Sequence, residues 1–294
     1  MATMDVMDHT TQEQQHTTGE RPLAGRVALV AGATRGLGRA IAVALGAAGA
    51  TFYVTGRTTR THTSEVGRPQ ETIEETGERV TAAGGEGIAV PTDHLDEERV
   101  RALLARVEAD HGRLDILVND LWGGEHLVAE HVFGKKSWET PLADGLRMID
   151  LGVRSHLITA GLALPLLIRS DGPVHIEVTD GTAEFNKRFR DNLYFDIAKT
   201  TPHRIAFALS EELAPLNGTA LSVSPGFLRS EQMLSFYGVT EQNWREATAQ
   251  NRTSRSRSPP TTSRAASRPS RPTRTAPAGP APRRRAPNSP APTT

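Results

Sequence analysis

Residues 31–38 read Ala31-Gly32-Ala33-Thr34-Arg35-Gly36-Leu37-Gly38. An apolar run, 26–31, leads into them, and an Ala-rich helical pattern, 36–49, leads out. A strand, a glycine turn and a helix start are what a dinucleotide site needs. Small residues let the backbone approach a pyrophosphate, and a helix N-terminus presents free N–H groups at the positive end of its dipole. A glycine pattern alone usually marks nothing more than a turn. The flanking strand and helix make this one a candidate phosphate cradle, built by Gly32, Thr34, Arg35, Gly36, Leu37 and Gly38.

Working outward, the pattern alternates. Strands are predicted at 26–31, 51–55, 87–91, 114–119, 174–179 and 219–224, and helices at 36–49, 70–83, 96–111, 142–169 and 193–213. Short β-rich runs separated by helices predict an α/β fold, a single doubly wound parallel-sheet Rossmann domain with helices on both faces. Ligands in such sheets bind at the carboxyl ends of the strands, near the switch point of the topology.

The domain is expected to occupy 23–250, between a disordered polar leader at 1–22 and a disordered tail at 251–294. The 294 residues suit one such domain with tails. Net charge is zero, but residues 252–294 hold ten of the 34 basic residues, all Arg, and no Asp or Glu. That stretch has no Leu, Ile, Val, Met or aromatic residue, so burial cannot offset the entropy of ordering it. The absence of Cys excludes disulfides, thiolate catalysis and Cys-ligated metals. No apolar run is long enough for a membrane span, and the N-terminus lacks a basic stretch followed by an apolar one. A cytoplasmic protein is expected.

The predicted strand ends carry the chemistry. The second closes on Thr55-Gly56-Arg57. An acidic residue there would take the ribose 2′-hydroxyl of NAD, whereas a basic one suits the 2′-phosphate of NADP. Arg57, with Arg35 inside the glycine turn, favours NADP over NAD; each Arg taken alone reads rather as a solvated surface charge. Asp93 has two readings, an acceptor for the adenine amino group or an Asx turn before the helix at 96. The histidines at 62, 94, 111, 126, 131, 156, 175 and 203 form no metal-ligand spacing. His126 and His131 fall in the stretch after the fourth strand and read first as solvated loop histidines, with substrate contact as the alternative; Trp122 and Trp138 in that stretch are candidates to line an apolar pocket.

Together these residues resemble the short-chain dehydrogenases/reductases: Gly32, Gly36 and Gly38; Asp93; Leu117-Val118-Asn119; Ala198-Lys199; and Ser224-Pro225-Gly226. A bacterial branch is closer still, through Asn-Asp-x-Trp-Gly-Gly at 119–124 and Thr-Asp-Gly-Thr-Ala-Glu at 179–184. The resemblance spans about 23–249 and implies hydride transfer between NADP and a small alcohol or carbonyl substrate. It implies cofactor contacts at Asn119, Lys199, Pro225 and Gly226. The family's proton donor is a Tyr four residues before a Lys that holds the nicotinamide ribose. A Ser after the fifth strand steadies the reacting oxygen, and an Asn in the fourth helix holds a relay water.

The sequence departs from that set. Four residues before Lys199 stands Phe195; Tyr194 is one residue early, a helical step of about 100° off the face that Lys199 occupies. Tyr194 serves as the acid only if the helix starts late or shifts locally; otherwise it is a core or surface aromatic. The Ser position holds Asp180, leaving Thr179 or Thr182 to supply the hydroxyl, and the Asn position holds Asp150. The candidate catalytic set is Thr179, Tyr194, Lys199 and Asp150. Pro202 interrupts the same predicted helix, at a cost of about 3 kcal/mol unless a kink absorbs it.

Relatives of this kind continue into a further helix and a seventh strand. An Ala-Asp-Pro-Asp-Arg-Ala-Arg-Trp segment of theirs, written in GC-rich codons and shifted by one base, reads Pro-Thr-Arg-Thr-Ala-Pro-Ala-Gly, which is 272–279 here. The tail thus reads as a frameshift near Asn251. The expected consequences are a missing seventh strand, an open sheet edge and a weakened homo-oligomer. Two function classes follow. One is an NADP-dependent oxidoreductase of impaired activity. The other is a binding protein, either a catalytically inactive nucleotide binder or a nucleic-acid binder through the Arg-rich tail.

Overall fold

The computed structural model describes residues 21–226 and 228–247. All five residues of β1 (Val27–Ala31) are buried. A strand apolar on both faces must lie inside a sheet covered on both sides. Here β1 is flanked by β2 (Thr51–Gly56) and β4 (Ile116–Asn119), with β3 (Glu86–Pro91), β5 (Val174–Val178) and β6 (Thr219–Val223) outside them. The order is β3-β2-β1-β4-β5-β6 and every pairing is parallel. The chain steps outward from β1 to β3, then returns to place β4 on the other side of β1. The switch point therefore lies between β1 and β4, where Ala31 pairs with both Thr55 and Asn119.

Alternation along β1 builds two cores. Val27 and Leu29 face one side with Tyr53, under α3 (Glu97–His111), α6 (Ser155–Leu167) and α7 (Leu193–Leu213). Ala28 and Val30 face the other with Phe52 and Val54, under α1 (Gly36–Ala47) and α2 (Ile73–Ala82). The side chains of Thr72, Asp96 and Asn192 cap α2, α3 and α7, accepting backbone N–H bonds of their first turns.

One predicted helix divides. The stretch 142–169 is α5 (Leu142–Ile149), a π turn (Asp150–Arg154) and then α6. Apolar periodicity continues across the break, which is why it reads as one helix. The turn coincides with Gly152, where a Cβ would come within 2.9 Å of both Ala198 and Trp122. Close packing of α7 and the β4 loop holds the backbone there. Two short helices were not predicted, α4 (Glu125–His131) and α8 (Glu231–Tyr237). Helix α7 runs through Pro202. Pro202 has no N–H for the Ala198 carbonyl, and one residue further on the Lys199 carbonyl accepts the Thr179 hydroxyl at 2.8 Å. The leader, the tail and any seventh strand lie outside the described residues. No described helix is long and apolar enough to cross a membrane.

Candidate active site

The glycine turn shows a separate reason for each glycine. Gly32 has φ +88°, and a Cβ there would lie 2.1 Å from the Asp120 carbonyl oxygen. On Gly38 a Cβ would lie 2.3 Å from the Gly32 carbonyl oxygen, so this glycine seats α1 against the end of β1. Gly36, at φ +56°, has no neighbour closer than 3.6 Å to that position, the nearest being Ser230. One glycine makes the turn, one packs the helix, and one leaves backbone open to a ligand. The start of α1 also has no side-chain cap and no acidic residue in its first turn. Its Gly38 N–H meets the Asp120 carboxylate from behind, and the rest of this first turn fits a dinucleotide pyrophosphate. Thr34 packs its methyl against Gly56, and Leu37 packs into the core beneath α1.

Both candidate phosphate arginines are present at the site, and both hold carboxylates. Arg57 Nη1 donates to Glu65 Oε1 at 2.6 Å. Arg35 donates to the Val66 carbonyl at 2.6 Å and pairs with Glu71 and Glu125, each at 3.2 Å. Asp93 forms the Asx turn, its Oδ1 accepting the Leu95 N–H at 3.0 Å. Gly226, beyond β6, has φ +69° and open space around it, just after Pro225.

The β4 end carries a buried polar network that sequence reading missed. Asn119 Nδ2 donates to Glu177 Oε1 at 2.9 Å, while its Oδ1 is buried without a partner. Glu177, in mid-β5, is fully buried; His156 Nδ1 lies 2.5 Å from Oε2 and His175 Nε2 lies 2.7 Å from Oε1. The other His156 nitrogen lies 2.8 Å from the Leu121 carbonyl. Burial alone would raise the Glu177 carboxyl, but the His156 charge and the two imidazole bonds hold it below the usual carboxylate range. His156 is raised in turn: the Glu177 charge overrides the effect of burial. Nearby, His94 bridges Thr55 and Thr159, 2.8 Å from each hydroxyl, and burial pushes its pKa down to about 3. The available signal was His175-x-Glu177, two polar residues on one face of an apolar strand. Asp120 was also missed. Its carboxylate lies behind Gly38, and burial raises its pKa to about 6 against the pull of the Gly38 N–H.

Helix α7 brings Lys199 to the mouth of β5. Its ammonium sits 3.6 Å from the Trp122 ring centroid and 5.7 Å from that of Phe195. Burial lowers its pKa, and the Asp180 charge partly restores it. Tyr194 turns the other way: a Cβ on Gly145 of α5 would lie 2.5 Å from its ring. The structure therefore places Phe195, and not Tyr194, beside Lys199, as one helical step off the shared face requires. Thr179 donates its hydroxyl to the Lys199 carbonyl. Asp150 opens the π turn, two residues before the contact of Gly152 with Trp122 and Ala198. Asp180 pairs with Arg190 at 2.9 Å, and the Arg190 guanidinium lies over Phe185 and Phe195, 5.0 and 5.3 Å from the ring centroids. Of the candidate histidines, His131 pairs with Asp144 at 3.0 Å. Trp138 is 83% exposed. No group of three potential metal ligands occurs among the described residues.

A parallel sheet with an open glycine cradle at its switch point, and a lysine-bearing helix beside it, defines a dinucleotide-binding protein of the Rossmann class. Comparison with known proteins narrows this. The sequence profile of short chain dehydrogenases matches residues 26–237, and the chain belongs to that family. It is 28% identical over 216 residues to dehydrogenase/reductase SDR family member 1 of Mus musculus, covering 73% of this chain and 64% of that one. It is 27% identical over 216 residues to 7alpha-hydroxysteroid dehydrogenase of Escherichia coli K12, covering 72% and 75%. Among solved structures, a metagenomic short-chain oxidoreductase in complex with NADP superposes with a TM-score of 0.58 at 25% identity, covering 69% of this chain and 83% of that one.

Proposed function

We propose that this chain binds NADP(H) over the ends of β1, β2 and β4 and acts as an oxidoreductase on a small alcohol or carbonyl compound, with low turnover. The observation that carries it is the start of α1, to which the N-cap residue Arg35 gives no side-chain cap, with Gly36 open above it and Arg35 and Arg57 on its flanks. The NADP complex of the metagenomic relative supports the cofactor assignment, and the hydroxysteroid dehydrogenase relative supports the substrate class. The α1 N-terminus would hold the pyrophosphate and Arg57 the 2′-phosphate. Asn119, Pro225 and Gly226 would border the nicotinamide half, and Lys199 would hold its ribose. When bound, the nicotinamide supplies the hydride.

Proton delivery to the substrate oxygen is the weak step in this arrangement. Tyr194 faces α5, and the Thr179 hydroxyl already has an acceptor. Thr179 would still offer lone pairs to a substrate hydroxyl, and Asp150 would hold a water at the π turn. A cofactor-binding protein without turnover is the second reading. It is favoured by one observation, the phenyl ring of Phe195 beside Lys199 where an acid is needed. Titration by nicotinamide fluorescence tests the cofactor reading. NADPH should bind more tightly than NADH, and the reverse order overturns it.

A further inference from the structure

Residues 58–72, between β2 and α2, form a closed loop. The Ile73 N–H donates to the Thr58 carbonyl at 3.2 Å and shuts its neck. Thr58, Thr59, Glu71 and Thr72 at its base are buried. Internal bonds fix its path: Thr59 N–H to the His62 carbonyl at 2.7 Å, and the Thr58 and Ser64 hydroxyls at 2.9 Å. Compact loops with pinned ends are frequently functional. The tip, Glu65-Val66, is tied down on both sides, with Val66 half-buried. The Val66 carbonyl accepts Arg35 of the glycine turn, and a Cβ on Gly123 of the β4 loop would lie 2.9 Å from Arg57 and 3.7 Å from Val66. The tip therefore spans from the glycine turn to the β4 loop, across the switch point.

Glu65 fastens that tip. Its Oε1 accepts Arg57 at 2.6 Å and Arg147 of α5 at 3.3 Å. Arg57 is the residue whose place at the end of β2 suits a 2′-phosphate. Glu65 thus offers a carboxylate to the guanidinium that a phosphate would use. Its carboxyl is held below the usual range: burial opposes this, but the bond from Arg57 prevails, so it stays ionised at neutral pH. A planar guanidinium pairs with a carboxylate or a phosphate through the same donors.

We propose that Glu65 is a specificity-determining residue: an internal anion on Arg57 that a nucleotide 2′-phosphate displaces, releasing the tip of the 58–72 loop from the cofactor cleft. This rests on the NADP reading above. A nucleotide without the phosphate has nothing with which to displace Glu65, and meets a neutralised Arg57. Discrimination between the two cofactors is therefore set by a competition inside the protein as well as by the charge of Arg57.

The test uses two probes that differ only by the phosphate, adenosine 2′,5′-bisphosphate and adenosine 5′-monophosphate, titrated calorimetrically into the full chain and its variants. Glu65 is 46% exposed, so E65Q leaves the core intact. E65Q should bind the bisphosphate roughly three- to fivefold more tightly, the equivalent of one exposed charge-assisted pair removed from competition. Its affinity for the monophosphate should stay within about twofold. R57Q should weaken the bisphosphate selectively. If R57Q weakens the bisphosphate and E65Q fails to tighten it, the competition is overturned while the cofactor reading stands. If E65Q weakens the monophosphate, Glu65 is a ribose ligand, and both are overturned. If wild type and R57Q bind the two probes alike, both are likewise overturned.

Discussion

The two ends of the cleft are built differently. At the β1–α1 end, every departure from ordinary helix or strand geometry leaves room. Gly36 is open, α1 is uncapped, and Gly32 and Gly38 bring the backbone close without filling the space. At the β5–α7 end the protein's own groups answer one another. Thr179 holds the Lys199 carbonyl, Asp180 holds Arg190, Arg190 stacks on Phe195, and Lys199 rests on Trp122. A site needs unsatisfied groups aimed at a ligand. The first end leaves backbone open at Gly36, although Arg35 and Arg57 there hold carboxylates; the second end leaves less. Binding a dinucleotide and turning over a substrate are therefore separable properties in this chain, and each can be altered alone.

The sharpest way to break that contrast is to return a phenol to the face of Lys199. The double change Tyr194→Phe with Phe195→Tyr should raise carbonyl reduction by about 10² to 10⁴, the usual worth of general acid catalysis. Cofactor affinity should move little. Steady-state rates with a panel of ketones, beside nicotinamide fluorescence titrations, would show it. A parent enzyme that already turns over briskly, and loses this on Tyr194→Phe alone, would mean that α7 shifts on substrate binding and that Tyr194 is the acid.

Next in size is the network that joins the two ends beneath the sheet. Glu177→Leu would leave His156 and His175 buried without their shared carboxylate. Removing one partner of a buried ion pair costs about 3–5 kcal/mol. Thermal unfolding should register this as a large fall in melting temperature. An unchanged melting temperature would show that the imidazoles find other partners. A smaller effect is expected at the open end. Arg57→Asp should reverse the cofactor preference, since it removes the phosphate partner and offers a carboxylate to a free 2′-hydroxyl. Paired NADPH and NADH titrations read it directly, and an unaltered preference would place the phosphate elsewhere.

The same contrast governs how much of the molecule was legible in its sequence. The six described strands follow from short β-rich runs, most plainly at Val27–Ala31, which is buried on both faces and has no polar alternation to confuse it. The glycine turn is legible because its constraints are backbone constraints, and a missing Cβ is visible in a sequence. The reactive end depends on side chains meeting across elements. Nothing local says that Lys199 rests on Trp122, or that Arg190 folds back over Phe195. The break between α5 and α6 was hidden because apolar spacing continues through the π turn. The position of Phe195 was legible, since a one-residue offset on a helix changes the face whatever surrounds it. The expectations for 1–20 and 248–294, the frameshift among them, fall outside the described residues.

The smallest expected effect probes the open end through the carboxyl at its back. Asp120 lies behind Gly38, and burial raises its pKa to about 6; the Gly38 N–H, His156 and Lys199 favour its charge, and Glu125 opposes it. A carboxyl whose folded pKa is raised contributes stability that is fully present below the unfolded value, near 4, and is lost as pH rises through about 6. Asp120→Asn keeps an acceptor for the Gly38 N–H and removes the titration. It should therefore stabilise the protein by about 1–2 kcal/mol at pH 8 and by almost nothing at pH 4, once solvent screening is allowed for. Thermal unfolding of both proteins across that range gives the answer as a difference in slope. The charge also sits next to the backbone that would hold a pyrophosphate, so wild-type NADPH affinity should weaken as pH rises from 5 to 7, and the variant's should not. Parallel pH profiles for wild type and variant would mean that Asp120 is already ionised behind the turn, and that the cradle tolerates a fixed negative charge at its back.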